Sequence, residues 1–145
     1  MGDYTGLRFK GILKKKFRED FEIIALEGEW SEHVDTVIQK FSEVERSFLI
    51  PCGVSSYFPN EWIDKNDKAT DGFETSYNKE TGYWIFQCSL KNYKNTIQEF
   101  FSILPYFIEK IEYLEYYYEE DDFSKQYSLI DGKIKLINDK FKKYK

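Results

Sequence analysis

The segment Glu112–Phe123, EYLEYYYEEDDF, is the stretch from which we predict the fold, because it has the pattern of a β-strand with two different faces. Alternation puts Leu114, Tyr116 and Tyr118 on one side of such a strand. The opposite side then carries Tyr113, Glu115, Tyr117 and Glu119. We therefore predict a half-buried strand whose outer face is acidic and aromatic.

An apolar helix is predicted directly before this strand. Its stripe at helical spacing is formed by Ile97, Phe100, Phe101, Leu104, Phe107, Ile108 and Ile111. Asn92 or Asn95 can cap its start, and Pro105 should kink it. We expect the helix to form the main part of the core, packed on the apolar residues of two strands. The expected contacts join Phe100, Phe101, Leu104 and Phe107 to Leu7, Phe9, Trp84 and Phe86.

A hairpin is predicted after the strand, because Gln126–Ile130 and Lys133–Ile137 flank Asp131-Gly132, a strong two-residue turn signal. We expect residues 138–145 to form a short helix or a frayed tail. Further upstream the pattern predicts strands over Thr5–Lys14, Ser47–Tyr57, Phe73–Tyr77 and Trp84–Leu90, and helices over Phe17–Gly28 and Val34–Phe41. Pro51 favours an edge or bulged position for the Ser47–Tyr57 strand.

This order of elements indicates an α+β fold, with a mainly antiparallel sheet and helices packed on one face. A chain of 145 residues fits one domain, which we expect to span residues 1–145. Aromatic residues make up 19% of it, enough to fill a core without disulfide or metal support. The net charge of -5 is unevenly distributed, with basic ends and an acidic stretch near residues 109–123.

Cys52 and Cys88 each occupy an apolar alternating position of a predicted strand, so we expect both to be buried and reduced. This indicates a reducing, cytoplasmic setting. No apolar run approaches the 18 or more residues of a membrane span.

Catalytic signatures are weak throughout the sequence. The single histidine, His33, has no cysteine or second histidine nearby, which argues against zinc, and we interpret it as a surface residue. No Gly-x-Ser-x-Gly turn presents a serine nucleophile. We expect no cofactor and no metal. Arg8, Lys10 and Lys14 would form a basic outer face on the first strand, but the acidic strand nearby argues against nucleic-acid binding.

Three segments, GDYTGLRF (2–9), GYWIFQCSLKNY (82–93) and YYYEED (116–121), resemble small proteins of uncharacterised function encoded by phages and prophages of low-GC Gram-positive bacteria. The resemblance covers both ends and a middle strand. It implies a mobile-element origin and a setting in the cytoplasm of the bacterial host.

The sequence therefore favours a non-enzymatic interaction protein, an inhibitor or modulator that binds a basic protein surface. Tyrosines supply contact area at low entropic cost, and carboxylates steer a charged partner. The predicted partner-binding residues are Tyr113, Glu115, Tyr117, Glu119, Glu120, Asp121 and Asp122. The alternative is a small-molecule or nucleotide binder with a cleft beside the sheet, in which Trp30, Trp62 or Trp84 would stack on the ligand.

Overall fold

The computed structural model describes residues 3–54 and 58–145, and these form a six-stranded sheet in which each neighbouring pair is antiparallel. The strands are β1 (Thr5–Leu13), β2 (Ser76–Asn78), β3 (Tyr83–Leu90), β4 (Ile108–Tyr118), β5 (Lys125–Ile130) and β6 (Lys133–Asn138). Their order across the sheet is β2-β3-β1-β4-β5-β6. The predicted α+β class is confirmed.

The described residues contain four α-helices, all before β4 in the chain. They are α1 (Glu22–Glu27), α2 (Thr36–Lys40), α3 (Leu49–Cys52) and α4 (Thr96–Phe107). Gly28 ends α1 in the left-handed region, with φ 68°. The Asp35 carboxylate accepts the first amides of α2, and the Asn92 side chain accepts the Ile97 amide at the start of α4. The predicted helices therefore exist, with shorter bounds.

The core lies between these helices and the sheet face that carries Leu7 and Phe9, which we call the helix face. Phe100 is fully buried there, and its ring lies 6.3 Å from that of Trp84 and 6.2 Å from that of Phe86. Phe101 is only partly buried and packs on Tyr127 with centroids 4.8 Å apart. The predicted core is correct except for Phe101, which lies at its margin.

Two predicted elements and the predicted burial of one cysteine are wrong in this part of the chain. No strand forms over the described part of Ser47–Tyr57, because the chain there turns through α3; residues 55–57 lie outside the described residues. Cys52 is consequently exposed, whereas Cys88 is buried as predicted and both thiols are unpaired. The long apolar helix ends at Phe107, and Ile108 already belongs to β4.

The tail is ordered and folds back on the sheet, and is neither a helix nor frayed. The Phe141 amide donates to the Ser124 carbonyl at 2.9 Å, and the Ser124 amide donates to the Lys142 carbonyl at 2.8 Å. The tail and the segment 58–73 cover the sheet face opposite the helices, which we call the loop face. Within residues 3–54 and 58–145, none of the helices has the length and apolar character that crossing a membrane requires.

Candidate functional site

The predicted binding row, Tyr113, Glu115 and Tyr117, lies on the loop face but beneath its cover. Glu115 is fully buried, and Tyr117 is 5% exposed. Trp62 and Tyr144 cover Tyr117, with ring centroids 6.4 Å and 4.9 Å away. The prediction that this row forms an exposed outer face is therefore wrong, because aromatic side chains from the loop and the tail pack on it.

Glu115 is held by three hydroxyl groups. The Tyr113 hydroxyl donates to Oε1 at 2.7 Å, while those of Ser124 and Tyr144 donate to Oε2, each at 2.6 Å. The indole N–H of Trp62 in turn donates to the Tyr144 hydroxyl at 2.8 Å. A buried carboxylate is tolerated only with such partners, so the residues that cover Glu115 also solvate it.

Arg8 lies directly opposite Glu115 in the register of β1 and β4 and is 2% exposed. Its guanidinium carbon lies 4.8 Å from the centroid of the Trp62 ring and 4.4 Å from that of Phe73. Its Nε donates to Gln87 at 2.7 Å, and Nη2 donates to the Trp62 carbonyl at 3.2 Å. The prediction of Arg8 as part of an outer basic face is wrong, since it is a buried cation between aromatic rings.

The electrostatics of this layer keep the hydroxyl donors protonated. Burial and the hydrogen bond to Glu115 raise the pKa of Tyr113 and of Tyr144 far above the ordinary value for tyrosine. Burial lowers the pKa of Arg8, and the neighbouring Glu115 carboxylate acts against that shift. The Glu115 oxygens are therefore occupied by hydroxyl donors and covered by aromatic rings.

The remaining predicted residues, Glu119–Asp122, form what we call the acidic turn, at the end of β4. Glu120 and Asp122 are exposed, and Glu119 and Asp121 are partly exposed. The Asp121 amide donates to the Tyr118 carbonyl at 2.9 Å, and the Tyr117 hydroxyl donates to the Asp121 carbonyl at 2.8 Å. The backbone of the turn is thus fixed, the Glu119 carboxylate accepts the Tyr4 amide, and the side chains of Glu120 and Asp122 are exposed.

Two shallow recesses flank the acidic turn, one on each side of the sheet end. One has a volume of about 350 Å³ and is lined by Asp3, Tyr116 and Tyr118 together with residues before α4. The Tyr118 hydroxyl donates to Asp3 there at 2.9 Å, which raises the pKa of Tyr118 to about 12. The other has a volume of about 290 Å³ and is lined by Tyr117, Glu119 and Tyr144 among others.

Basic residues of the tail lie beside the acidic turn. The Lys145 ammonium is 4.0 Å from Glu120, and both side chains are about half exposed. The Tyr144 amide donates to the Asp122 carbonyl at 2.8 Å. An exposed pair of this kind contributes little to stability, so it is readily exchanged for a pair with another molecule.

The alternative prediction has Trp30, Trp62 or Trp84 stack on a ligand in a cleft. All three side chains are buried, so none of them is available for stacking at the surface. His33 is also buried, contrary to the predicted surface position, and its Nδ1 accepts the Asp35 amide at 2.9 Å. Burial lowers the pKa of His33. An apolar cleft of about 540 Å³ does lie beside the sheet, lined by Ile63, Ala69 and Phe73 among others.

Sequence reasoning missed the residues that cover the row, namely Trp62, Phe73, Ser124 and Tyr144. A signal was present in Gly6, which shares the loop face with Arg8. A Cβ atom at Gly6 would lie 2.8 Å from the Trp62 ring, so residue 6 must lack a side chain for the indole to pack on the sheet. A glycine in an otherwise bulky strand indicates such a close approach.

Among residues 3–54 and 58–145, no three histidine, cysteine or acidic side chains are placed to hold a metal ion together. Comparison with protein-family models, with curated proteins and with solved structures found no match.

Proposed function

We propose that the protein is a non-enzymatic interaction module that binds a basic protein surface through the acidic turn. The observation that supports this proposal is a turn with a fixed backbone at one end of the sheet that presents three successive acidic residues, Glu120 to Asp122, to solvent. Glu115 and Tyr117 are buried and Tyr113 is partly buried, so these residues enter the proposal as supports of the strand that leads into the turn.

Preorganisation is the physical reason for choosing the turn. Its backbone is tied to Tyr4, Tyr117, Tyr118 and Tyr144, so little conformational entropy is lost when a partner binds. Glu119 is itself committed, because its carboxylate accepts the Tyr4 amide. Glu120, Asp121 and Asp122 are then the groups available to lysine or arginine side chains of a partner.

The biological role that we propose is inhibition or modulation of a host or competitor protein in the bacterial cytoplasm, with a mobile-element origin. The support for the origin is the resemblance of the segments 2–9, 82–93 and 116–121 to phage-encoded proteins. The support for the mode of action is the combination of aromatic residues and acids at one end of the sheet.

The test is affinity capture from a Gram-positive host lysate with two matched variants. The first carries Glu120→Gln, Asp121→Asn and Asp122→Asn. The second carries Glu19→Gln, Glu27→Gln and Glu80→Gln, three exposed acids outside the turn. Both remove three negative charges, so a loss of capture confined to the first variant assigns binding to the turn and not to net charge.

We expect the captured protein to be basic and its retention to fall with rising salt, because exposed charges are screened beyond about 10 Å at 0.1 M ionic strength. Equal capture by the wild type and the turn variant would refute the proposal. Equal loss in both variants would also refute it, since net charge alone would then explain retention.

The apolar cleft beside the sheet supports a second candidate, a small-molecule binder. Its volume of about 540 Å³ falls in the range of ligand sites, and Gln87 and Thr75 supply polar groups. Ala69→Trp should fill the cleft and abolish any ligand-induced increase in melting temperature, while leaving capture through the acidic turn intact.

A further inference from the structure

The apolar cleft beside the sheet opens where β2 ends. Ile85 is the last residue of β3 that pairs with β2, and further along β3 the Ser89 amide donates to the Gly53 carbonyl at 3.0 Å. Gln87 lies between these two points and lines the cleft. It pairs with Arg8 of β1, so its side chain lies on the loop face as that of Arg8 does. Gln87 therefore contributes its side chain to the wall of the cleft.

The side-chain amide of Gln87 is held in one orientation. The Arg8 Nε group donates to it at 2.7 Å, and because a guanidinium can only donate, the amide atom that faces Arg8 is the oxygen Oε1. Arg8 is itself fixed by bonds from Nη2 to the Trp62 carbonyl at 3.2 Å and to the Thr70 hydroxyl at 3.1 Å. The nitrogen Nε2 of Gln87, with its two N–H donors, is therefore directed away from Arg8.

These two N–H donors have no acceptor within residues 3–54 and 58–145, the part of the chain that the structure describes. Gln87 is nevertheless only 9% exposed. Polar groups as deeply buried as this normally have a hydrogen-bond partner, and a donor without one costs stability. Since Gln87 lines the cleft, an acceptor on a molecule bound in the cleft would satisfy its amide.

The other residues of the cleft determine which kind of molecule carries that acceptor. Ile63 and Phe73 give the cleft apolar walls, and Phe73 is 4% exposed. The charged side chains that line it are exposed and carry a net negative charge, because Asp67 and Glu74 outnumber Lys68. An apolar body therefore fits the walls, and an anion is disfavoured at the rim.

The buried cation next to Gln87 does not make the cleft a site for anions. The Arg8 guanidinium lies 3.8 Å from the Asp71 carboxylate, and Arg8 faces Glu115 across β1 and β4. Its positive charge is therefore balanced within the protein. With a net negative rim and a balanced Arg8, the cleft favours a neutral acceptor over a carboxylate.

We propose that the cleft binds a small neutral molecule with an apolar body, and that a carbonyl oxygen of this molecule accepts a hydrogen bond from Nε2 of Gln87. A carbonyl oxygen accepts without donating, so it brings no further donor that the apolar walls would leave unpaired. The cleft volume of about 540 Å³ is in the range of small-molecule sites. The inference rests on the second candidate function, a small-molecule binder, and names the class of its ligand.

Three probes that share a benzene ring test the ligand class. Acetophenone carries a neutral carbonyl oxygen, benzoate carries a carboxylate, and toluene has no acceptor. NMR titrations of the isotope-labelled protein, followed through the side-chain amide of Gln87 and the backbone amides around the cleft, give the three affinities. Acetophenone should bind with a dissociation constant of about 1 mM, and benzoate and toluene at least about tenfold more weakly. Equal affinity for the three probes, or tighter binding of benzoate, would overturn the proposal.

A matched pair of variants tests the role of Gln87 itself. Gln87→Glu keeps an oxygen acceptor for Arg8 but replaces the two N–H donors by a carboxylate oxygen, so it should weaken acetophenone binding at least about tenfold. Thr75→Val removes another polar group that lines the cleft and should leave the affinity unchanged. Equal weakening in both variants would refute the proposal, because the general polarity of the cleft and not the amide donors would then determine binding.

The variant Ala69→Trp, which fills the cleft, separates this inference from the second candidate function. If all three probes bind the wild type equally well and Ala69→Trp abolishes their binding, the cleft is a ligand site that does not recognise a carbonyl, and only this inference fails. If none of the probes binds the wild type at concentrations up to about 10 mM, both the inference and the second candidate function are refuted. Acetophenone binding that Ala69→Trp and Gln87→Glu both abolish supports both.

Discussion

The two faces of the sheet are both buried, but by different chemistry. On the helix face, Phe9 and Leu114 pair across β1 and β4 and lie among aliphatic and aromatic side chains. On the loop face, the adjacent pair Arg8 and Glu115 is buried among tyrosine hydroxyls and rings. Alternation correctly groups the residues of each face. It does not reveal whether a polar face is open to water or covered.

The largest loss of stability is expected from a substitution that removes a buried side chain on the helix face. Phe100→Ala removes a fully buried ring that lies near Trp84 and Phe86, so we expect a loss of about 3–5 kcal/mol in the free energy of unfolding. Urea unfolding followed by tryptophan fluorescence measures it. Phe101→Ala is the control on the same helix, and because Phe101 is partly exposed its loss should be smaller. Equal losses would show that Phe101 also belongs to the core.

The second largest loss of stability is expected when a buried charge on the loop face is removed. Glu115→Gln keeps the shape but removes the carboxylate that faces Arg8 and accepts three hydroxyl donors. Arg8 keeps its ion pair with the exposed Asp71, 3.8 Å away, but loses the buried negative charge opposite it. Removing one charge of a buried pair costs about 3–5 kcal/mol where burial is complete. Solvent reaches the partly exposed tyrosines around Glu115, so we expect about 3 kcal/mol.

A double variant separates the charge from its packing. Arg8→Met combined with Glu115→Leu removes both ions, so neither charge is left buried without the other, although the three hydroxyl donors lose their acceptor. We expect the double variant to lose less stability than the sum of the losses of Arg8→Met and Glu115→Leu in the same unfolding assay. Additive losses would mean that Arg8 and Glu115 do not stabilise each other.

The close approach of the loop to the sheet gives an intermediate effect. A methyl group at Gly6 would lie 2.8 Å from the Trp62 ring and must displace it. Overpacking of this kind costs about 1–3 kcal/mol, so Gly6→Ala should lower the free energy of unfolding by that amount. Gly6→Ala in a Trp62→Leu background should lose much less than in the wild type. If Gly6→Ala lowered the free energy of unfolding as much in that background as in the wild type, the unfavourable contact would lie within β1 and not with Trp62.

Much of the helix face could be predicted from the sequence, because its signals are local. The apolar spacing of α4, the Asp131-Gly132 turn and the alternation of β3 each follow from residues close together in the chain. The covered loop face could not be predicted in the same way. Trp62 and Tyr144 are 82 positions apart and meet only through tertiary packing.

The acidic segment shows the same limit within one strand. Its alternation predicts an exposed binding row, because burial of Leu114, Tyr116 and Tyr118 leaves the opposite side, rich in tyrosine and acid, without a structural reason in the sequence. Glu115 is nevertheless buried, since hydroxyl groups from three other residues replace water around it. Within the segment, Glu112, Glu120 and Asp122 are exposed, and Glu119 and Asp121 are partly exposed.

The smallest effect that we expect is a dependence on alkaline pH that belongs to the loop face. The pKa values of Tyr113 and Tyr144 are raised in the folded protein above their ordinary value of 10.0, chiefly by burial. Above about pH 10 the unfolded chain loses these protons while the folded chain keeps them. The stabilisation is therefore fully present below pH 10 and is lost as pH rises, by at most about 1.4 kcal/mol per pH unit for each tyrosine.

Urea unfolding at several pH values between 8 and about 11 measures this slope. Tyr144→Phe removes one titrating hydroxyl, so its stability should fall less steeply above pH 10 than that of the wild type. The variant also loses a hydrogen bond to Glu115 and should be less stable at pH 8, which is why the slope and not the absolute stability is compared. If Tyr144→Phe gave the same slope as the wild type, the hydroxyl layer around Glu115 would be open to water, and the difference in chemistry between the two faces would not be one of burial.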